Sequence, residues 1–247
     1  MSPASSKSRW LFTDRRGGVS KSPYTGLNLA THVGDDEQAV AHNRQLLADE
    51  VGIPAHRFRF MGQIHSHRVA VVGTDSERTT PNTDALVTTE TDLPLVVLVA
   101  DCVPVILTDD TAGVIAVAHA GRRGAVDGIV PATVAQMVEL GATPENIHAI
   151  LGPSAAGRDY ELPAQMVEDV EAALPGSATV TAHGTPGVDL HAGLAYQLKK
   201  LGVSSIERDE RSTVTTEELY SYRREGTTGR FAGVVYRPGS SGEEAPQ

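Results

Sequence analysis

The sequence has little cysteine, no excess of positive charge and no long apolar run. Cys102 is the one cysteine among 247 residues, so no intramolecular disulfide can form, and a metal site that uses the thiolate must recruit histidine or carboxylate ligands. Lysine and arginine number 21 against 31 aspartate and glutamate residues, giving a net charge of −10, which argues against nucleic acid or an anionic membrane as the main partner. The longest apolar stretch, residues 93–100, is far too short to span a bilayer, and no signal segment is recognisable. These absences favour a cytoplasmic enzyme or binding protein.

Two polar terminal segments flank one long central region. Hydrophobic residues make up 40% of the chain and charged residues 21%, which is typical of a globular protein. Residues 1–9 and 238–247 have little to bury, so we expect a flexible N-terminus and a disordered tail. No linker or internal repeat interrupts residues 10–237, for which the sequence predicts a single domain.

The hydrophobic pattern predicts several strands and a few helices. Helical spacing and capping residues indicate helices over residues 35–50, 125–140, 163–174 and 190–201. Three apolar runs, at 93–100, 103–108 and 114–119, follow one another without a helix between them, which excludes strict β-α-β winding. The pattern favours an α/β domain with mixed β-sheet structure, in one or two sheets, and helices packed outside.

The densest chemistry lies between residues 100 and 124. The polar turn at 109–112 has the composition of a four-residue hairpin loop. If this loop is the tip, Thr108 pairs with Gly113, and counting outward places Cys102 directly opposite His119. Opposed residues on antiparallel strands hold their Cβ atoms roughly 4.5–5.5 Å apart. The sequence therefore predicts a thiol beside an imidazole.

A Cys–His pair has three interpretations. It can be an activated thiolate, as in cysteine hydrolases, or two ligands of a metal ion. The structural alternative is a buried cysteine that faces a histidine with satisfied hydrogen bonds. A glycine-rich turn follows His119, and backbone N–H groups there could hold an anion, which favours a functional interpretation.

The candidate third partner is His65, which lies two residues before His67. In an extended segment the two side chains would share one face, although a three-ligand site needs only one of them. The alternative is that both are surface histidines near a bend. A set of His65, Cys102 and His119 would leave one coordination position open, which suits a catalytic zinc ion.

Arginines are concentrated shortly before the last predicted strand. Arg223, Arg224 and Arg230 fall within eight residues on a glycine-containing turn and could bind phosphate or carboxylate. More often such a run is a solvated turn with salt bridges.

Six ordered blocks resemble the laccase-domain family, also called YfiH-like. They are FTDRRGGVSKSPYTGLNLATHVGDDEQAVAHNR, QIHSH, ADCVPVILTDD, AVAHAGRRG, LGPSAAGRDYEL and SYRREGTTGR, and they cover most of the chain. Members were formerly called multicopper polyphenol oxidases and are now regarded as purine nucleoside phosphorylases. The resemblance implies mixed β-sheets layered between helices, similar to the catalytic domain of cytotoxic necrotizing factor. It also implies a zinc ion, with copper as the alternative metal, bound by His65, Cys102 and His119.

The resemblance further implies substrates and competing activities. The family's activities are phosphorolysis of adenosine, inosine, guanosine and S-methyl-5′-thioadenosine, and deamination of adenosine. A second family role is amide hydrolysis that edits peptidoglycan precursors, and the older assignment is copper-dependent oxidation of phenols. We expect a monomer that binds purine nucleosides and phosphate. The candidate substrate- and phosphate-binding residues are Asn28, Arg44, Arg123, Arg223 and Arg230.

Two positions depart from the family's usual pattern. The turn that usually reads HAGWRG has Arg122 in place of tryptophan, which adds charge near the predicted metal, and Ser212-Thr213 stands where many relatives have Cys-Thr. The nine histidines are scattered, with no H-x-H pair besides 65/67, so the ligands of a trinuclear copper cluster are lacking. Two rivals to the phosphorylase remain: a cysteine hydrolase with Cys102 as nucleophile and His119 as base, and a non-catalytic metal-binding protein.

Overall fold

The computed structural model describes residues 7–239, within which the chain forms two main sheets and six α-helices. The expected terminal segments lie partly outside these residues, at 1–6 and 240–247; the first strand already begins at Arg9. The strands are β1 (Arg9–Phe12), β2 (Phe60–Met61), β3 (Val69–Val71), β4 (Thr79–Thr80), β5 (Ala85–Thr88), β6 (Leu95–Val99), β7 (Val103–Asp109), β8 (Val114–Ala120), β9 (His148–Leu151), β10 (Ala178–Val180), β11 (Pro186–Val188), β12 (Ser205–Arg208) and β13 (Phe231–Tyr236). The helices are α1 (Glu37–Val51), α2 (Arg122–Val126), α3 (Ile129–Glu139), α4 (Ala164–Ala173), α5 (Leu190–Lys200) and α6 (Tyr222–Glu225).

The larger sheet has six strands in the order β12-β9-β7-β8-β5-β3, and the smaller has three in the order β1-β13-β6. The six-stranded sheet is mixed, since its two outer pairs are parallel and its inner pairs antiparallel. Two short pairs, β2-β4 and β10-β11, complete the sheet structure of the described residues. The predicted mixed sheet structure is confirmed, in two main sheets.

Alternating side chains divide the apolar residues among three buried layers. Within β6, Leu95 and Val97 face the six-stranded sheet, whereas Val96 and Leu98 pack towards α1. The far side of the six-stranded sheet packs against α3, α4 and α5. The result is a stack of helix, sheet, sheet and helices, which explains why the central strands are buried on both faces.

The prediction of one continuous helix over residues 125–140 is wrong. The chain forms α2 and α3 instead, with a break at Asp127 and Gly128, where Gly128 adopts a left-handed φ of 88°. The other three predicted helices are confirmed as α1, α4 and α5, and Asp36 caps α1 by accepting hydrogen bonds from the backbone N–H groups of Gln38 and Ala39. No helix within residues 7–239 is long and apolar enough to cross a membrane.

Candidate functional site

Asp84, a fully buried carboxylate directly before β5, organises the candidate site. It accepts hydrogen bonds from the backbone N–H groups of Ile64 (3.2 Å), His65 (3.0 Å) and Ser66 (2.8 Å), and from Ser66 Oγ (2.7 Å). It also accepts one from His119 Nδ1 (2.9 Å) at the end of β8. One carboxylate therefore holds the loop that carries His65 against the strand that carries His119.

The hydrogen bonds to Asp84 also set the chemistry of His119. Burial opposes ionisation of Asp84, but donors from His119 and Ser66 outweigh it and hold the pKa of this carboxyl well below its usual range. A carboxylate acceptor keeps the proton of His119 on Nδ1, which leaves Nε2 available as a ligand or base.

His65 lies on a bend, and the extended segment considered for residues 65–67 is wrong. Its φ of 61° is left-handed, because the backbone turns to aim the N–H groups of residues 64–66 at one carboxylate. His67 is exposed and does not contribute to the candidate metal site, so one histidine of the pair suffices.

The predicted register of the β7–β8 hairpin is wrong by two residues. Asp109 pairs with Val114, and Pro104, rather than Cys102, lies opposite His119. The loop still has four residues but lies at 110–113, where the Asp109 carbonyl accepts a hydrogen bond from the N–H of Gly113, a residue with a left-handed φ of 70°. A shift of two residues keeps each side chain on the same face of its strand, so Cys102, the residue directly before β7, still lies near His119.

Asp101 shapes the turn that presents Cys102. It has a left-handed φ of 94°, and its carboxylate accepts hydrogen bonds from Thr213 Oγ1 (2.6 Å) and the backbone N–H of Arg223 (2.7 Å). The turn is thereby joined to the arginine-rich segment before β13. These contacts give Asp101 a structural role beside the metal ligands.

His65, Cys102 and His119 bring one donor atom each to within 4.8 Å of one another, the one such group of three within residues 7–239. Cys102 Sγ lies 3.8 Å from His65 Nε2, and the two imidazole rings meet edge to face with centroids 4.6 Å apart. Tetrahedral zinc with bonds of about 2.0–2.3 Å holds its donors roughly 3.3–3.7 Å apart. The donor set and its spacing therefore fit a zinc ion after small movements.

The same contacts favour a thiolate. Burial raises the pKa of the Cys102 thiol, but His119 and His65 outweigh burial and bring it below its usual value. Burial also disfavours the charged form of His119, yet the Cys102 thiolate and Asp84 raise the pKa of this imidazole. The Cys102 thiolate can therefore bind a metal ion or act as a nucleophile.

A cavity of about 600 Å³ lies beside these three residues, where β6 and β8 end and β13 begins. Arg122, Arg223 and Arg230 contribute three guanidinium groups, and Tyr160 and Tyr222 contribute aromatic rings. The rest of the lining comes from residues that are apolar or neutral apart from one carboxylate: His32, Gln63, Leu98, Val99, Ala100, Asp101 and Leu190. The cavity can hold a small, partly aromatic molecule with an anionic group.

The structure brings two of the five predicted substrate-binding residues to this cavity, Arg223 and Arg230. Asn28 is fully buried, where its amide bonds to Asp35, Ala30 and the backbone of Arg230. Arg44 donates to the backbone of Leu29 and stacks on Phe60.

Arg123 and Arg224 do not line the cavity either. The Arg123 side chain is exposed, and its neighbour Arg122 lines the cavity instead. Arg224 donates to four backbone carbonyls and to Glu225, which makes it a structural residue. The sequence alone does not show which of two adjacent arginines lines the cavity.

Sequence reasoning missed Asp84, Gln63 and Tyr160. Gln63 lines the cavity while its side-chain amide exchanges hydrogen bonds with the backbone of Leu98, at 2.8 and 3.0 Å. Tyr160 lies against Arg223, whose Cζ is 4.7 Å from the ring centroid. Gln63 and Tyr160 fall within two of the quoted blocks and Asp84 in none, but no local pattern assigns a role to any of them, so only long-range packing reveals it.

Known proteins resemble this chain over nearly its full length. It is 54% identical over 240 residues to a protein named purine nucleoside phosphorylase from Corynebacterium glutamicum, covering 96% of this chain and 98% of that protein. It is 50% identical over 228 residues to another of that name from Mycobacterium tuberculosis, covering 92% and 91%.

Solved structures share the fold. YlmD from Geobacillus stearothermophilus superposes with a TM-score of 0.89 at 30% identity, covering 96% of this chain and 94% of that one. The hypothetical protein YfiH from Bacillus licheniformis gives 0.87 at 27% identity, covering 93% and 92%. The sequence profile described as multi-copper polyphenol oxidoreductase laccase matches residues 9–238. The chain therefore belongs to this laccase-like, YfiH-type family.

Proposed function

We propose that this protein is a zinc-dependent purine nucleoside phosphorylase. The observation that carries the proposal is one cavity in which the His65–Cys102–His119 donor set and three arginine side chains surround a space of about 600 Å³. The names of the relatives from Corynebacterium and Mycobacterium support the same activity.

The proposed substrates are adenosine, inosine, guanosine and S-methyl-5′-thioadenosine. A purine is flat, aromatic and edged with hydrogen-bonding groups, and the cavity offers the rings of Tyr160 and Tyr222 beside the apolar residues 98–100. Phosphate, the second substrate, needs cations, which the three arginines of the lining supply, the predicted Arg223 and Arg230 among them.

In phosphorolysis a phosphate oxygen attacks the sugar carbon as the bond between sugar and base breaks. The bonding electrons leave with the base, which takes up a proton and is released, and the sugar keeps the phosphate. The transition state resembles an oxocarbenium ion, so a fixed phosphate anion next to the sugar stabilises the developing positive charge. Residues His65, Cys102 and His119 would hold the zinc ion, which when bound supplies Lewis-acid polarisation of a substrate oxygen or nitrogen. The arginines orient phosphate, and the apolar wall limits competing attack by water.

Adenosine deamination is the second activity that we propose for this cavity. Replacement of the amino group by oxygen requires a group that moves protons as well as a polarised nucleophile. Asp101 is the carboxylate of the cavity lining, and it lies within the turn that presents Cys102. Ammonia release from adenosine in phosphate-free buffer, measured with Asp101→Asn beside wild type, tests this activity. No ammonia from wild-type protein would exclude it.

The decisive assay follows release of free base from inosine, adenosine and S-methyl-5′-thioadenosine with and without phosphate. We expect phosphate-dependent release that Cys102→Ala and His65→Ala abolish. The matched control is His67→Ala, because His67 lies two residues from His65, is exposed and stands outside the donor group. Full activity and full zinc content in Cys102→Ala would contradict the proposal.

A thiol-dependent amide hydrolase that edits peptidoglycan precursors is the second candidate. Asp84 accepts a hydrogen bond from His119 Nδ1 (2.9 Å), and His119 and Cys102 bring donor atoms to within 4.8 Å of each other, in the order of acid, base and nucleophile found in cysteine hydrolases. This candidate predicts activity that survives chelators and a covalent adduct on Cys102. Copper oxidation of phenols is less favoured, since one group of three donors within residues 7–239 falls short of the ligands that a multicopper site needs.

We also propose that the protein works as a cytoplasmic monomer with residues 10–237 as one domain. The lining of the cavity runs from His32 to Arg230, so residues 10–237 contain all the residues proposed to form the site. Light scattering on the purified protein measures the mass directly; a dimer mass would overturn the monomer proposal.

A further inference from the structure

Two arginines and a tyrosine form a cluster on one side of the cavity. Arg223 Cζ stacks 4.7 Å from the centroid of the Tyr160 ring, and Arg122 lies close enough to the Tyr160 hydroxyl to influence its ionisation. All three side chains line the cavity that contains the candidate metal ligands. Arg122 starts α2, directly after the turn that follows His119, so its position is fixed by the same turn that shapes the metal site.

Within residues 7–239, no carboxylate lies within ion-pair distance of these guanidinium groups. None of the ion pairs within residues 7–239 includes Arg122, Arg223 or Arg230. The one carboxylate in the lining, Asp101, accepts hydrogen bonds from Thr213 and from the backbone of Arg223 rather than from a guanidinium group. In a protein with a net charge of −10, this concentration of unneutralised positive charge marks a site for an anion.

Tyr160 stays protonated at neutral pH. Burial and the nearby Cys102 thiolate raise the pKa of its hydroxyl, and Arg122 and Arg223 only partly oppose the rise. Its ring also limits the freedom of the Arg223 guanidinium, which presents that donor group in a fixed orientation. The cluster thus offers planar donors suited to a tetrahedral oxyanion.

We propose that Arg122 and Arg223, positioned by Tyr160, form a subsite for a phosphate dianion beside the candidate metal centre. The inference rests on the proposed phosphorylase function and names which arginines hold the anion. The dianion has two sources with the same chemistry: inorganic phosphate as cosubstrate, or the 5′-phosphate of a nucleotide substrate.

Calorimetry measures the binding of inorganic phosphate to the zinc-loaded full chain directly. It tests the subsite without turnover. Arg122→Ala and Arg223→Ala should each raise the Kd for phosphate by about tenfold or more, as expected for loss of a charge-assisted hydrogen bond. Arg123→Ala, the neighbouring and exposed arginine of α2, should keep the wild-type Kd. Equal Kd values for Arg122→Ala and wild type would overturn the proposal.

The positioning role of Tyr160 has its own test. Tyr160→Ala removes the ring that carries Arg223 and should weaken phosphate binding, whereas Tyr160→Phe keeps the ring and should restore most of the affinity. Zinc content and unfolding temperature, measured on both variants, separate this effect from a loss of structure. A Tyr160→Phe variant as weak as Tyr160→Ala would show that the ring does not act through Arg223.

Turnover distinguishes the two sources of phosphate. If inorganic phosphate occupies the subsite, Arg122→Ala raises the phosphate KM in the inosine reaction and leaves the inosine KM unchanged. If the 5′-phosphate occupies it, Arg122→Ala reduces base release from inosine 5′-monophosphate instead. Phosphate binding that depends on Arg122 without base release from any substrate would refute the phosphorylase function and retain the subsite. Base release whose phosphate KM stays unchanged in Arg122→Ala and Arg223→Ala would support the phosphorylase function and refute the subsite.

Discussion

Asp84 joins the two histidines of the candidate metal centre without being one of its ligands. It binds the loop of His65 through three backbone N–H groups and fixes the tautomer of His119 through Nδ1. A buried carboxylate with this many donors is costly to alter, because each donor would lose its acceptor. Its effect on metal binding can be measured separately from catalysis.

Asp84→Asn should lower zinc affinity by about 10–100-fold, the usual cost of losing a partner that orients a metal-bound histidine. An amide cannot accept from all of these donors, and its NH₂ group would face the N–H groups of residues 64–66. Competition with a chromophoric chelator measures the affinity. Asp75→Asn, an exposed aspartate in a turn, is the control. An unchanged zinc affinity in Asp84→Asn would contradict this role.

At the scale of secondary-structure elements, the turn between β8 and α2 decides how closely the donors approach. A Cβ atom on Gly121 would lie 2.7 Å from His65 Cδ2 and 2.9 Å from Cys102 Sγ. Only glycine leaves room there for both side chains. The requirement comes from packing, since the φ of Gly121 is −71° and any residue can adopt it.

Gly121→Ala should therefore displace the donors, at a cost of about 1–3 kcal/mol in stability and with reduced zinc binding. Gly62→Ala is the matched control, because a Cβ there meets nothing nearer than 3.4 Å. Thermal unfolding and zinc titration of both variants give the comparison. Wild-type zinc binding by Gly121→Ala would show that the site adapts without loss.

The start of α5 is joined to the end of β9 through His191. Its Nε2 lies 3.0 Å from the carbonyl of Gly152 and 3.1 Å from Ser154 Oγ. Burial lowers the pKa of this imidazole below 6.5, so it is neutral in the folded protein near neutral pH. The unfolded chain then binds more protons than the folded chain in the window below pH 6.5.

Stability should accordingly fall as the pH drops below 6.5, towards the lowered pKa of His191. His191→Gln, which retains a donor for Gly152, should make this fall shallower, although His32, whose pKa burial also lowers, still contributes. Unfolding temperatures between neutral and mildly acidic pH provide the measurement. His42→Gln, a change at an exposed histidine of α1, should leave the slope as in wild type. Identical slopes for His191→Gln and wild type would exclude this linkage.

At the scale of the whole molecule, the three donors come from separate segments. His65 follows β2, Cys102 lies between the two main sheets at the β6–β7 turn, and His119 ends β8. Chain segments that meet only in the folded state bind an ion far better than the unfolded chain does. Metal binding and global stability are therefore coupled.

Zinc at about one hundred times its Kd should stabilise the fold by about 2.7 kcal/mol and raise Tm by roughly 5–10 °C. Cys102→Ser should lose most of this rise, and magnesium, which prefers oxygen ligands, should give none. Differential scanning calorimetry with zinc, magnesium or chelator measures the shifts. A Tm that zinc leaves unchanged would mean that the three residues do not bind it in the folded protein.

Local sequence patterns were enough to predict the elements that carry a clear cap or a clear apolar run. Asp36 and Gly52 mark the two ends of α1, and the β5 and β13 strands appear where apolar, β-branched runs occur. The strands β10 and β12 are mostly exposed and lack such runs, so the sequence alone did not predict them. The break between α2 and α3 was missed because Gly128 interrupts a pattern that is otherwise helical.

By itself, the sequence determined that Cys102 and His119 share one end of a hairpin, since strand alternation has a period of two and survives a register shift of two. It also named His65, through spacing and family resemblance. Only the tertiary structure decided that Asp84 joins the two histidines, and that Arg122 rather than Arg123 lines the cavity. The reason is physical: hydrogen bonds and side-chain directions between segments distant in the chain depend on how the two sheets pack, and local sequence does not encode that packing.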